Sequence, residues 1–272
     1  MHFIENLETI SEDFDNLTLY MDNKHKLNSH LFYKTLLQLP EYRKDLRISK
    51  KFQRQNFFDM AELTAYKNFY KYKQFSEQEA LIMNLFGRKA DMLYKHHGIK
   101  DLPPEIKNYI ANTVFIDGGA YNGDSAAVFN IYKPAKCYSF ELQKKQELIF
   151  KDNMQILNIT NTEFVLKGLS NDTFLAKFKS NDVGTSVFRK GTLVAQMTTL
   201  DKFLEKTDQS RVGFIKFDLE GSAYQALLGS IDTLKKWRPV ISVALYHNPE
   251  EFFQVKKMLN EVFGDTYIYQ FH

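Results

Sequence analysis

Little in this 272-residue chain points toward the secretory route or the membrane. Its single cysteine, Cys137, excludes an intrachain disulfide and any cysteine-rich zinc site. No run of about 18 apolar residues occurs, so no segment reads as a bilayer-spanning helix. The opening residues Met1-His2-Phe3-Ile4-Glu5 lack the basic stretch and apolar core of a secretory signal. A cytoplasmic protein is expected. A surplus of charge is missing too. Residues 1–100 carry 16 Lys and Arg against 13 Asp and Glu, the remainder balances at 20 against 20, and the formal net charge is only +3. Phosphate backbones demand basic residues clustered on one face, and no such cluster exists, so no nucleic-acid partner is expected. Internal repeats and low-complexity segments are also absent.

Glycine is missing before Gly87, which suits packed helices better than a sheet with tight turns. Ser76-Glu77-Gln78-Glu79 forms a capping box. Ala80, Met83, Phe86, Ala90 and Leu93 then recur every three or four residues, as one buried helix face requires. Leu31–Leu39 is a second helical stretch, stopped by Pro40, and Tyr66, Phe69, Tyr70 and Tyr72 crowd a third. Pro103-Pro104 marks a boundary, so a helical N-terminal region at 1–104 is expected before a second domain at 105–272.

Beyond that boundary, short apolar runs alternate with amphipathic stretches. Strands are expected at Thr113–Asp117, Lys136–Glu141, Glu163–Gly168, Phe214–Asp218 and Val240–Tyr246. Helices are expected at Ser125–Tyr132, Lys144–Leu157 and Ala223–Lys236. Another opens at Asn248-Pro249-Glu250-Glu251 and ends at Gly264. Thr173–Lys179 and Thr198–Leu204 break this rhythm, and a last strand is expected at Thr266–Phe271. The fold class is α/β, with a mostly parallel sheet covered on both faces.

The most informative stretch is Val114-Phe115-Ile116-Asp117-Gly118-Gly119-Ala120-Tyr121-Asn122-Gly123-Asp124-Ser125. A buried strand runs into a loop of small residues, and a helix opens at Asp124. Ligands of α/β sheets bind outside the carboxyl ends of such strands. Glu141, at the end of the next strand, is suited to hold both hydroxyls of a ribose. A nicotinamide dinucleotide calls for Gly-x-Gly-x-x-Gly and a helix N-terminus open to pyrophosphate. Here the glycines are Gly118, Gly119 and Gly123, and Asp124 stands where the anion would sit. A carboxylate there is tolerable beside S-adenosylmethionine, which has no phosphate and carries cationic sulfonium and ammonium groups. Nor is there a Gly-x-x-x-x-Gly-Lys-Ser/Thr loop for a triphosphate. S-adenosylmethionine is the expected cofactor.

Six segments in order resemble the FkbM-type S-adenosylmethionine-dependent methyltransferases, which are Rossmann-like. They are Phe-Ile-Asp-Gly-Gly-Ala-Tyr-Asn-Gly-Asp-Ser at 115–125, Tyr-Ser-Phe-Glu at 138–141, Gly-Leu-Ser-Asn-Asp at 168–172, Thr-Thr-Leu-Asp-Lys-Phe-Leu at 198–204, Phe-Ile-Lys-Phe-Asp-Leu-Glu-Gly at 214–221 and Ile-Ser-Val-Ala-Leu-Tyr-His-Asn-Pro-Glu-Glu at 241–251. The resemblance implies O-methylation of a sugar or glycan in a cell-surface polysaccharide or nucleotide-sugar pathway. With these motifs, Asp117, Gly118, Gly119, Ala120, Tyr121, Asn122, Gly123, Ser125, Glu141, Leu142, Leu169, Ser170 and Asp218 are the candidate cofactor contacts. One departure stands out. Family members often carry an acid two places after the glycine of Asp-x-Glu-Gly, and here that residue is Ala223.

Methyl transfer to a hydroxyl needs a group that takes the proton during attack. Asp218, Glu220 and His247 follow strands that end beside the cofactor, and they are the catalytic candidates. Glu220 is the first choice for contact with the hydroxyl, and His247 is its partner or alternative. Asp218 is expected to brace the loop or face the cofactor's cationic end. Asp218, Glu220 and His247 form in principle an oxygen and nitrogen ligand set, but nothing in the sequence requires a metal. His96-His97 reads as exposed and structural. The front helices, with their many aromatics, and the last strand, as a sheet edge, are the expected routes to a homo-oligomer. Two other readings remain open here: a nucleotide-binding oxidoreductase, and a methyltransferase-fold binding protein that has lost its chemistry.

Overall fold

The computed structural model describes residues 75–87, 92–178, 193–207 and 210–270. The helices expected at 31–39 and around Tyr66–Tyr72 lie outside the described residues. In chain order the strands are β1 (Val114–Gly118), β2 (Lys136–Phe140), β3 (Thr162–Val165), β4 (Gly168–Leu169), β5 (Leu175–Phe178), β6 (Leu193–Thr198), β7 (Val212–Phe217) and β8 (Val240–Val243). The α-helices are α1 (Glu77–Phe86), α2 (Met92–Lys95), α3 (Pro104–Ile110), α4 (Asp124–Asn130), α5 (Lys145–Ile156), α6 (Leu200–Leu204), α7 (Ala223–Leu228), α8 (Ile231–Trp237) and α9 (Pro249–Phe263).

Five strands pair in parallel in the order β3-β2-β1-β7-β8. β1 and β7 sit centrally, and every residue of both is buried, as sequences apolar on both faces demand. From β1 the chain winds out through β2 to β3, then returns to lay β7 and β8 on the opposite side. The winding reverses between β1 and β7, and a crevice at the carboxyl ends is the geometric consequence. A smaller sheet runs β4-β6-β5, with β4 parallel and β5 antiparallel to β6. Phe115 of β1, Phe214 of β7 and Phe129 of α4 form an aromatic triangle with centroids 5.2 to 5.9 Å apart. That cluster fixes the helix that follows the glycine loop onto the sheet.

Several elements differ from expectation, each for a local reason. Gly87 ends α1 instead of merely weakening a longer helix; its φ is 86° and its N–H caps the Met83 carbonyl. The capping box at Ser76 and Glu79 is formed as read. The strand expected at 163–168 divides between the two sheets as β3 and β4. The helix expected over 223–236 breaks into α7 and α8, where Gly229 abuts the Ser170 carbonyl and Ser230 Oγ donates back to the Ala226 carbonyl. Residues 266–270 form no strand, so the proposed C-terminal edge is not supported there.

Phe75–Phe252 packs as one compact unit that carries both sheets; from Phe253 the chain belongs to a second unit. Residues 75–87 and 92–104, expected with the N-terminal region, pack within the first unit, where α1 and α2 touch α4 and α3 touches β7. In the second unit Lys256 lies over the Tyr269 ring and Phe263 meets Tyr267 edge-on. No helix among the described residues is long and apolar enough to cross a membrane.

Candidate active site

The loop after β1 is tied down from two sides. Gly119 and Ala120 donate their amides to the Phe140 carbonyl at the end of β2, both at 3.0 Å. Gly119 has a φ of 81°, and a Cβ there would collide with the Asp218 carbonyl, so only glycine lets the loop lie against the end of β7. Glu141 then braces the far side. Its Oε2 accepts the Tyr121 N–H at 3.0 Å and its Oε1 accepts the Gln143 N–H at 2.8 Å. Burial pushes the Glu141 carboxyl up, and these amide bonds oppose it.

Lys216 is the unexpected centre of this region. The parallel register sets it beside Asp117, with Nζ 3.2 Å from Oδ1, and both side chains are buried. The same ammonium donates to the carbonyls of Gly118 at 3.1 Å and Gly119 at 2.9 Å. Burial works against its charge, but Asp117, Asp218 and Asp124 outweigh that and hold the proton on. Asp124, opening α4, is pushed up to about 6 chiefly by burial, against the pull of Lys216.

A cavity of about 320 Å³ opens at these strand ends. Of the candidate cofactor contacts, Gly119, Tyr121, Ser125, Glu141, Leu142, Leu169 and Asp218 line it, as does Glu220. Asp117, Gly118, Ala120, Asn122, Gly123 and Ser170 stand outside this lining, in the loop and strand ends that support it. Asp117 is fully buried and is spent on Lys216. Gly118 packs against Phe217, and Gly123 against Phe150 and Met154. The Asn122 carbonyl accepts from Asn153, Ser170 Oγ donates to Asn171, and Ala120 is buried.

The catalytic candidates converge at one wall of the cavity. His247 Nε2 stands 3.3 Å from Asp218 Oδ1 and 3.7 Å from Glu220 Oε2, while Nδ1 stands 3.3 Å from Glu251 Oε2. Tyr246 donates its hydroxyl to Asp218 at 3.2 Å. Asp218 and Glu220 line the cavity, whereas His247 sits behind them with its side chain 10% exposed. Burial disfavours the imidazolium, but Asp218 and Glu251 more than compensate and raise His247 to about 9. Burial would raise Asp218, yet His247, Lys216 and Tyr246 pull it down to about 2.

Sequence reasoning missed four participants. His97 lines the cavity, with Nε2 3.0 Å from Ser125 Oγ and its ring against Phe129. Burial, aided by Lys216, drives it down to about 3, so it is neutral. His96 is buried, with Nδ1 2.7 Å from the Tyr132 hydroxyl, and His97 is partly buried, so neither histidine is exposed, contrary to expectation. Lys216 carried a signal: a lysine inside an otherwise apolar central strand requires a buried carboxylate. Glu251, four residues after His247 and fully buried, was legible from that spacing. Tyr246, which lines the cavity and holds Asp218, carried no comparable signal.

The family model described as the methyltransferase FkbM domain matches residues 117–269. No curated protein matches the chain. Among solved structures, methyltransferase FkbM from Methylobacillus flagellatus KT is 14% identical with a TM-score of 0.45, covering 75% of this chain and 54% of that one. This chain therefore spans about half the length of that protein. An rRNA methylase from Streptococcus thermophilus is 15% identical with a TM-score of 0.31, covering 47% of this chain and 59% of its own. A Streptococcus mutans protein described as a methyltransferase, in complex with SAH, is 13% identical with a TM-score of 0.31, covering 47% and 61%.

Proposed function

The chain belongs to the FkbM methyltransferase family, and from that premise we propose an S-adenosylmethionine-dependent O-methyltransferase acting on a hydroxyl of a sugar or glycan. The observation that carries this reading is a single cavity bordered both by Glu141 and by the Asp218 and Glu220 pair. The Glu141 carboxylate is held by the Tyr121 and Gln143 amides and borders the cavity, where it can accept from ribose hydroxyls. Asp124 and Asp218 favour the cofactor's ammonium and sulfonium and would repel a diphosphate.

In the transfer, a lone pair of the acceptor oxygen forms the new bond to the methyl carbon. The carbon–sulfur bond breaks with its electrons going to sulfur, which leaves S-adenosylhomocysteine. The hydroxyl proton passes to the Glu220 carboxylate. His247 is the weaker choice for that proton, because with a pKa of about 9 it is already protonated at neutral pH. It serves better as a counter-charge that holds Asp218 and Glu220 together. Holding oxygen and methyl in line contributes about 7–11 kcal/mol toward the barrier.

The test is release of S-adenosylhomocysteine on incubation with S-adenosylmethionine and a panel of nucleotide sugars and oligosaccharides. Glu220→Gln should lower turnover by about 10²-fold or more while cofactor affinity holds. Full activity in Glu220→Gln with loss in His247→Ala would move the proton acceptor to His247. No turnover with any member of the panel counts against a sugar acceptor.

A further inference from the structure

We propose that Asp218, Glu220 and His247 form a binding site for a divalent first-row cation such as Mn²⁺ at the wall of the cavity. One ligand atom from each residue lies within 4.8 Å of the other two. Two ligands each about 2.1 Å from an ion, at right angles, stand about 3 Å apart. The observed separations of 3.3 and 3.7 Å from Nε2 to the two carboxylates reach that spacing with closures of about 0.3 and about 0.7 Å, the larger at the more exposed Glu220 side chain.

The histidine supplies an independent pointer. Its side chain is nine-tenths buried among carboxylates, yet neither ring nitrogen is aligned for a hydrogen bond. Behind it, Glu251 is fully buried, with Oε2 directed at Nδ1 and no other partner for that oxygen. Glu251 is itself fixed, because its Oε1 accepts the Ala223 N–H at 2.7 Å and its own N–H goes to Asn248 Oδ1 at 2.8 Å. A carboxylate behind the remote nitrogen is how proteins orient a metal-ligating imidazole: the proton stays on Nδ1, and the cation displaces the Nε2 proton to solvent and replaces it as the positive charge between Asp218 and Glu220. Two hard oxygens and one imidazole suit Mn²⁺, which accepts both ligand types.

Asp218 and Glu220 line the cavity, so the ion's remaining positions face the acceptor. An acceptor with two neighbouring oxygens, a vicinal diol or an α-hydroxy acid, would chelate there. Binding the reacting hydroxyl to the cation eases loss of its proton to the Glu220 oxygen that is not on the metal. This role for the ion rests on the methyltransferase reading; its binding does not.

The 272-residue chain, treated with EDTA, is titrated with MnCl₂ while free Mn²⁺ is followed by electron paramagnetic resonance. S-adenosylhomocysteine binding is measured separately by calorimetry in the absence of metal. One Mn²⁺ per chain is expected, with affinity at least about 10-fold lower in Asp218→Asn and Glu220→Gln. Glu251→Gln, which reaches the ion only through His247, should weaken it by about 10 to 100-fold. The Glu220 side chain is 41% exposed, so Glu220→Gln reports on the site even where a buried variant fails to fold. No bound Mn²⁺, or binding unchanged in Glu220→Gln, overturns the inference. If S-adenosylhomocysteine still binds in that case, the methyltransferase reading stands without the cation. If Mn²⁺ binds at these residues and S-adenosylhomocysteine does not, the cation site stands and that reading falls.

Discussion

Lys216 Nζ lies 3.2 Å from Asp117 Oδ1, across the parallel seam between β7 and β1 and out of contact with water. The same ammonium holds the carbonyls of Gly118 and Gly119, so one side chain sets the path of the loop over which the cofactor is proposed to lie. A buried pair of this kind is weak evidence of net stabilisation, because desolvation offsets much of the attraction. Its strength is geometric: it leaves the loop one place to go.

Removing one partner is therefore costly. Lys216→Met leaves the Asp117 carboxylate buried without its counter-charge, at a cost of about 3–5 kcal/mol. The double variant Lys216→Met/Asp117→Asn should lose less than the sum of the two single changes. Urea denaturation measures both. A single variant within about 1 kcal/mol of wild type, or strict additivity, would show that the pair does not act as a unit.

Asp124 predicts a pH dependence of stability. Its carboxyl is raised from 3.8 to about 6, chiefly by burial, with Lys216 opposing and Asp117 adding. Between about pH 4 and 6 the folded chain therefore holds more protons at this site than the unfolded chain, so this contribution makes stability fall as pH rises through that window. Asp124→Asn keeps the acceptor for the Ser125 N–H and removes the titration. It should flatten the fall and exceed wild type near pH 7 by at most about 3 kcal/mol. Parallel stability profiles for the two proteins would remove Asp124 as the source.

His97 brings a segment upstream of the family match to the cavity. If the Ser125 hydroxyl is positioned by His97 Nε2, then His97→Ala should weaken S-adenosylhomocysteine binding about 5-fold, the equivalent of one ordinary hydrogen bond of about 1 kcal/mol. Deleting residues 1–100 would remove His97 together with the buried Leu93 and Ile99, so that truncation is not neutral for the site. Unaltered affinity in the point variant would reduce His97 to packing against Phe129.

What could be read from the sequence was local. A strand, a glycine loop, a helix and an acid on the next strand follow one another in the chain, and the parallel pairing of β1 with β2 brings Glu141 to the Tyr121 amide without further information. Asp218, Glu220 and His247 were legible because they follow neighbouring strands that end on one side of the sheet. The partner of Lys216 was not, since Asp117 is 99 residues away and only the register of β1 with β7 puts them side by side. His97 depends on how a helix before the sheet packs on α4, which no periodicity specifies. The broken helix at Gly229 has the same origin, because the obstacle is a carbonyl from another part of the chain. Asp117 and Gly123 support the loop from beneath through Lys216, Phe150 and Met154, contacts that lie far from them in the chain.

Calorimetric titration of the 272-residue chain with S-adenosylhomocysteine, alongside NAD and the Glu141→Ala variant, tests the central claim most directly. The account predicts one saturable site per chain for S-adenosylhomocysteine, none for NAD, and a loss of about 1–3 kcal/mol of binding free energy in Glu141→Ala. Binding of NAD at the site, or no binding of S-adenosylhomocysteine by the folded wild-type protein, would contradict it.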